Sequence, residues 1–262
     1  MNTMKKLLSA IAIFGILFAQ EEAPAMAVSI EAPAMVVSGE MSTDVVFGDT
    51  VSFTSPYTGL SLSGEGWQLS SRLTDGSIEV EEAYYTLDAN FASLTIGKQR
   101  VPFGLANAWH RPSQNPFASE PSAQTYAEGI GVTVEMMGVG VEAHYGNEQA
   151  YSARLSYGVL GHSAGLSMNS DDGMLVDASG DLFGMMTSYL QYDLSEETSG
   201  DFWYRAVIAP EFTKGISALV GYSSVGDETE TMYGVGYQYG GASLRSELSA
   251  DGDVQVRISY SF

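Results

Sequence analysis

From about Met35 to Phe262 the side chains alternate between apolar and polar, residue after residue, and no helical period is sustained for three turns. A period of two is the strand signal, because successive Cβ atoms point to opposite faces of a pleated backbone. Between Gly129 and Met136, Ile130, Val132, Val134 and Met136 share one face, while Gly131, Thr133 and Glu135 share the other. The same split recurs. Val139, Val141, Ala143 and Tyr145 oppose Gly140, Glu142 and His144, and Tyr151, Ala153, Leu155, Tyr157 and Val159 oppose Ser152, Arg154, Ser156 and Gly158. Tyr233, Val235, Tyr237 and Tyr239 oppose Gly234, Gly236 and Gln238. A chain patterned this way is all-β, and each strand carries one face that needs an apolar environment and one that needs water.

Alternation alone does not choose between a sandwich and a barrel. Composition narrows the choice. The polar face is rich in Gly, Ser and Arg rather than the Lys and Glu of a solvent surface, which suits a water-filled interior. Tyrosines stand toward strand ends at Tyr57, Tyr85, Tyr145, Tyr151, Tyr192 and Tyr239, where an interfacial girdle needs an amphipathic ring. Connections are short around Gly138, Gly161 and Gly240-Gly241, so the meander closes most simply as an antiparallel up-and-down transmembrane β-barrel without open edges. With 32 acidic and 11 basic residues the formal charge is −21, which argues against nucleic acid as a partner. The absence of cysteine excludes a disulfide scaffold, a thiolate metal site and a lipidated lipoprotein.

Residues 1–20 place Lys5 and Lys6 ahead of an apolar run from Leu7 to Phe18, the layout of a secretory signal peptide. Residues 21–35, with a repeated Glu-Ala-Pro-Ala-Met, read as a flexible leader, and residues 36–262 as the barrel. In the last strand Val254, Val256, Ile258, Tyr260 and Phe262 share a face. The terminal aromatics Tyr260 and Phe262 resemble the signal by which bacterial outer-membrane barrels are recognised by the barrel-assembly machinery. A second stretch, residues 81–107, contains Gly97, Lys98, Gln99, Pro102, Phe103 and Gly104. It resembles the segment of Gram-negative general and phosphate-selective porins that leads into the long third loop. That resemblance implies a homotrimer embedded in outer-membrane lipid and lipopolysaccharide, with the third loop folded into the lumen.

Residues 101–127 break the alternation with Pro102, Pro112, Pro116 and Pro121 beside Trp109, His110 and Arg111, so this stretch cannot be ladder strand. Taken as a constriction loop, it sets a count of sixteen strands, with fourteen or twelve as the alternatives. The expected strands include 53–63, interrupted by Pro56, and 174–179, the weakest in pattern.

Phase also sorts the charges. Arg72, Arg154, Arg205, Arg245 and Arg257 fall on the polar face, since an arginine facing lipid near the midplane costs about 2–4 kcal/mol. Lys98 and Arg100 stand at the entrance to the loop, with Arg111 and the acidic Glu120 inside it. These nine residues are the candidate pore and constriction set, with Glu79, Glu135, Glu142 and Glu247 as lumen carboxylates. Asp171-Asp172, Asp177, Asp181, Glu196-Glu197, Asp227-Glu228-Glu230 and Asp251-Asp253 read as acidic connections.

His110, His144 and His162 have no metal-ligand spacing, and no nucleophile elbow or phosphate-cradling loop is present, so neither an enzyme nor a cofactor is expected. The expected function is passive diffusion of small hydrophilic or charged solutes through an outer-membrane porin. The alternatives are a structural or adhesive barrel plugged by its own charge network, and a secreted soluble β-sandwich.

Overall fold

A computed structural model describes residues 35–53, 57–74, 76–105, 125–195, 200–249 and 252–262. Their secondary structure is almost entirely strand: β1 (Val36–Phe47), β2 (Val51–Phe53), β3 (Tyr57–Gly64), β4 (Trp67–Thr74), β5 (Ser77–Ala89), β6 (Ala92–Arg100), β7 (Tyr126–Met136), β8 (Val139–Gly146), β9 (Tyr151–Val159), β10 (His162–Asn169), β11 (Met174–Leu182), β12 (Met186–Asp193), β13 (Phe202–Ile208), β14 (Ile216–Val225), β15 (Glu228–Tyr239), β16 (Ala242–Leu248) and β17 (Val254–Ser261). From β3 onward each strand pairs antiparallel with the next. The ring closes through β1, which pairs with β17 on one side and β3 on the other.

Sixteen strands therefore form a closed barrel, and the extra strand β2 pairs with the far end of β1. Closure leaves no second sheet to pack against, so a β-sandwich is excluded. The expected strand 53–63 is divided into β2 and β3, with Pro56 among the residues between them. The expected strand 174–179 is longer, running to Leu182 as β11.

The distribution of burial is inverted relative to a soluble domain. The buried set is dominated by polar and charged side chains, including Glu40, Ser42, Glu81, Glu82, Ser152, Ser167, Asp177, Arg205, Arg245, Glu247, Arg257 and Ser259. Val37, Met41, Leu60, Tyr85, Ile130, Leu155, Tyr157, Leu166, Val235, Leu244 and Ile258 are exposed on the other face. A contiguous apolar outer face on this scale is an interaction surface, and on a closed barrel its natural solvent is hydrocarbon.

Both chain ends of the barrel lie at one rim, with the turns after β3, β5, β7, β9 and β11, and β6 ends and β7 begins at the other. At the closing seam Phe262 exchanges backbone hydrogen bonds with Gly39, both at 3.0 Å. A Cβ on Gly39 would sit 2.3 Å from the Phe262 ring, so the glycine makes the seat on which the terminal aromatic lies. Tyr260 stacks beside it, ring centroids 6.4 Å apart.

One strand breaks period two and gains from it. The β4–β5 ladder shifts register at Ser70/Ser71, opposite Glu82 and Val80, which leaves Glu81 as the extra residue of a bulge. The consecutive Glu81 and Glu82 are thereby both buried, whereas a regular strand would have sent one of them outward.

Candidate functional site

The lumen wall divides into two sectors. The first is the seam sector, β16, β17, β1, β3, β4 and β5. Here Arg257 stands opposite Asp44 in the ladder and binds it through two bonds, Nε to Oδ1 and Nη2 to Oδ2, both 2.7 Å. Arg245 is directly opposite Arg257, and like charges so placed repel, so the Asp44 carboxylate also relieves the arginine pair. Ser243 and Ser259 hydroxyls meet at 2.6 Å.

Farther round, the Tyr57 hydroxyl donates to Glu81 Oε2 at 3.1 Å, and the Arg72 guanidinium lies 5.9 Å over the Tyr57 ring. Arg72 also contacts Glu79 at 3.3 Å and Glu81 at 3.5 Å. Glu82 accepts from Ser70 Oγ at 2.9 Å and from Gln68 Nε2, while the Tyr84 hydroxyl donates to Gln68 Oε1 at 3.2 Å. The bulge is what brings Glu81 and Glu82 together, and with Tyr57, Gln68, Ser70 and Tyr126 they line a polar recess in the wall.

The second sector is β9 to β14. Arg154 of β9 reaches Asp177 of β11 by two bonds, Nη2 to Oδ1 at 2.7 Å and Nη1 to Oδ2. The intervening strand would block this reach, but its residue opposite Asp177 is Gly165. A Cβ there would fall 2.4 Å from the guanidinium nitrogens, so the arginine lies across the space a side chain would fill. On β13 the buried Arg205 stacks 4.7 Å from the Trp203 ring and donates from Nη1 to the Tyr204 carbonyl at 3.0 Å.

This sector also carries apolar residues on its inner face. Trp203 and Leu219 form a buried cluster with Leu105, with Tyr189 and Val207 packed against it. Leu105 belongs to the connection that leaves β6, and its neighbours are tied down as well. The Pro102 carbonyl accepts from Ser152 Oγ, the Gly104 amide donates to Ser167 Oγ at 3.0 Å, and the Leu105 amide donates to Gln191 Oε1 at 2.9 Å. Residues 101–105 therefore leave the wall at β6, enter the lumen and dock against β9, β10, β12, β13 and β14. Buried backbone amides are satisfied by wall side chains, and a leucine fills an apolar shelf.

The expected site residues thus separate. Arg72, Arg154, Arg205, Arg245 and Arg257 all face the lumen, but they are distributed over both sectors rather than gathered in one ring. Arg100 closes β6 opposite Tyr126, where the chain turns inward. Lys98 differs from the expectation of a pore-facing group. It lies opposite Ala83 and Glu128, on the face of Ile96 and Tyr85, and its Nζ donates to the Val80 carbonyl beside the bulge. Arg111 and Glu120 lie outside the described residues.

Two further expectations are corrected. Asp177 is not in an acidic connection but in β11, almost wholly buried against Arg154, because a lumen strand supplies the arginine's partner. Tyr57 is not a girdle residue; its hydroxyl is drawn inward by Glu81.

Sequence reasoning also missed Asp44, Gln191, Trp203 and Leu219. A signal for the shelf exists, since Phe202-Trp203-Tyr204 and Ala218-Leu219-Val220 are apolar on both faces, as a strand covered on both sides requires. Among the described residues no group of three or more His, Asp or Glu side chains is placed to hold a metal ion.

No protein-family model and no curated protein sequence matches the chain. Solved structures do match. One is a chain from work on asymmetric conductivity of engineered proteins, with a TM-score of 0.69, 13% identity and coverage of 87% of this chain and 100% of that one. Two engineered variants of the porin of Rhodopseudomonas blastica match with TM-scores of 0.67 at 13% and 14% identity, over the same shares of each chain. The closed sixteen-stranded antiparallel barrel therefore has the fold of these porin variants.

Proposed function

We propose that the protein is a passive diffusion channel for small hydrophilic or charged solutes across a bacterial outer membrane. One observation carries the reading: the closed barrel presents hydrogen-bonded Ser, Glu, Asp and Arg side chains inward and a largely apolar face outward. A pore so lined selects by the charges that meet at its narrowest section and needs no energy source. The root of the 101–127 segment, docked on the β9–β14 wall, supports a constriction built from that segment, with Arg100, Arg111 and Glu120 as its charges. The same reading includes an exported precursor with residues 1–20 as its signal, recognition of Tyr260 and Phe262 by the assembly machinery, contact with lipopolysaccharide and a homotrimer.

The salt-bridged arginines favour one competing account, a barrel plugged by its own charge network. Conductance separates the two. Refolded protein added to a planar bilayer in molar salt is expected to give discrete, long-lived open-channel steps. A protein that inserts into vesicles and gives no steps would establish the plugged barrel instead.

A further inference from the structure

The hairpin turns at the rim that holds the chain termini carry an anomaly that the channel reading does not use. Between β7 and β8 the two-residue turn is Met137-Gly138, with φ of 54° and 82°; between β9 and β10 it is Leu160-Gly161, with φ of 50° and 80°. Between β11 and β12, Phe183 and Gly184 have φ of 62° and 66°. Turns with both central residues left-handed favour Asn, Asp or Gly at the first position, because a Cβ with an apolar side chain is strained there. These three positions hold Met, Leu and Phe instead, and the side chains are 91%, 92% and 89% exposed. Phe212, in the connection from β13 to β14, is 82% exposed. Aqueous solvation disfavours all four side chains and local backbone preference the first three, so they answer to something outside the chain.

The length of the strands they join points the same way. In the wall from β8 to β13 every strand has between 7 and 9 residues. At ~3.3 Å per residue and a tilt of about 40°, such strands cover roughly 18–23 Å of membrane height, short of the ~25 Å apolar band of a transmembrane barrel. The turns that carry Met137, Leu160, Phe183 and Phe212 bound this same short wall. On β9 the outward column Leu155, Tyr157, Val159 runs on into Leu160 without a polar break. Elsewhere at this rim the β3–β4 and β15–β16 turns carry Glu65-Gly66 and Gly240-Gly241, while Phe91 in the turn after β5 is 67% exposed.

We infer that Met137, Leu160, Phe183 and Phe212 are lipid anchors: the turns of the short wall sit in the headgroup–acyl boundary and complete the apolar belt that its strands leave incomplete. The occupant is the bilayer, because the tips continue the lipid-facing columns. The proposal rests on the membrane-channel reading.

The chain has no cysteine, so single substitutions give unique labelling sites. Full-length protein carrying Leu160→Cys, Phe183→Cys, Leu155→Cys in the belt or Asp172→Cys at the opposite rim is labelled with an environment-sensitive fluorophore and refolded into phosphatidylcholine vesicles. Brominated lipid is expected to quench positions 160 and 183 as strongly as 155, while aqueous iodide quenches only 172. If 155 is quenched by lipid but 160 and 183 by iodide, the rim is in water and the anchor proposal falls alone. If 155 itself escapes the lipid quencher, the membrane reading falls and takes the proposal with it. Shielding of 160 and 183 from both quenchers would overturn the lipid assignment in favour of a second copy of the chain.

Discussion

The two lumen sectors solve the same problem differently. The seam sector, from β16 through β1 to β5, faces the lumen with carboxylates, guanidinium groups, hydroxyls and phenols that satisfy one another across neighbouring strands. The sector from β9 to β14 combines one deeply buried ion pair with an apolar shelf, and its inner face is covered by the root of the long connection. One wall is finished by hydrogen bonds and leaves its polar groups toward the pore. The other is finished by packing. In the proposed channel the solute path would run along the hydrogen-bonded wall, because the packed wall is already occupied by protein.

The largest expected effect tests the packed sector's ion pair. Asp177→Ala leaves the Arg154 guanidinium buried without its partner and should destabilise the refolded protein by about 3–5 kcal/mol in denaturant titrations in micelles. Adding Arg154→Met should recover much of that loss, since the isolated charge, not the lost attraction, is the dominant cost. Recovery of nothing would mean that the pair is wet and the two sectors are alike in this respect.

A smaller effect is expected at the shelf. Leu105→Ala empties a contact with Trp203 and Leu219 and should cost about 2–4 kcal/mol, with noisier open-channel current because the docked segment is held less firmly. Glu82→Gln, in the opposite wall, should leave the noise unchanged. If both variants or neither alter it, the division of labour between the sectors is broken.

The smallest effect sharpens the seam sector's role. Neutralising one lumen charge about 7 Å from the solute path changes the local ion energy by roughly 0.6 kcal/mol in water, a factor of about three in relative ion occupancy. Glu81→Gln or Glu82→Gln should therefore shift the reversal potential in a salt gradient toward anion preference, and Arg257→Gln toward cation preference. Equal reversal potentials in all three would move the selective section away from this wall.

Much of this architecture could be read in advance. Alternation identified the outer columns, as at Leu155, Tyr157 and Val159, and the arginine phases placed Arg72, Arg154, Arg205, Arg245 and Arg257 on the inner face. The readings that failed involve contacts between strands far apart in sequence or departures from regular pleat. Asp177 looked like a loop acid until register set it opposite Gly165, within reach of an arginine two strands away. Lys98 looked like a pore residue because it neighbours the loop, yet its parity matches Ile96 and points outward. The Glu81–Glu82 pair was printed in the sequence as a doublet that regular alternation cannot accommodate, but only the ladder shows which strand absorbs the extra residue.

By itself, then, the sequence determined that most strands have an apolar and a polar face and that the last strand ends in an aromatic pair, and it favoured sixteen strands over fourteen or twelve. These properties are local, carried by a two-residue period and by turn residues that need no distant partner. Tertiary structure alone decided which wall receives residues 101–105, which carboxylate meets which arginine, and that the strands from β8 to β13 have only 7 to 9 residues. Those outcomes depend on register and closure, where residues from distant parts of the chain become neighbours, and alternation is the same for every register that keeps the faces in phase.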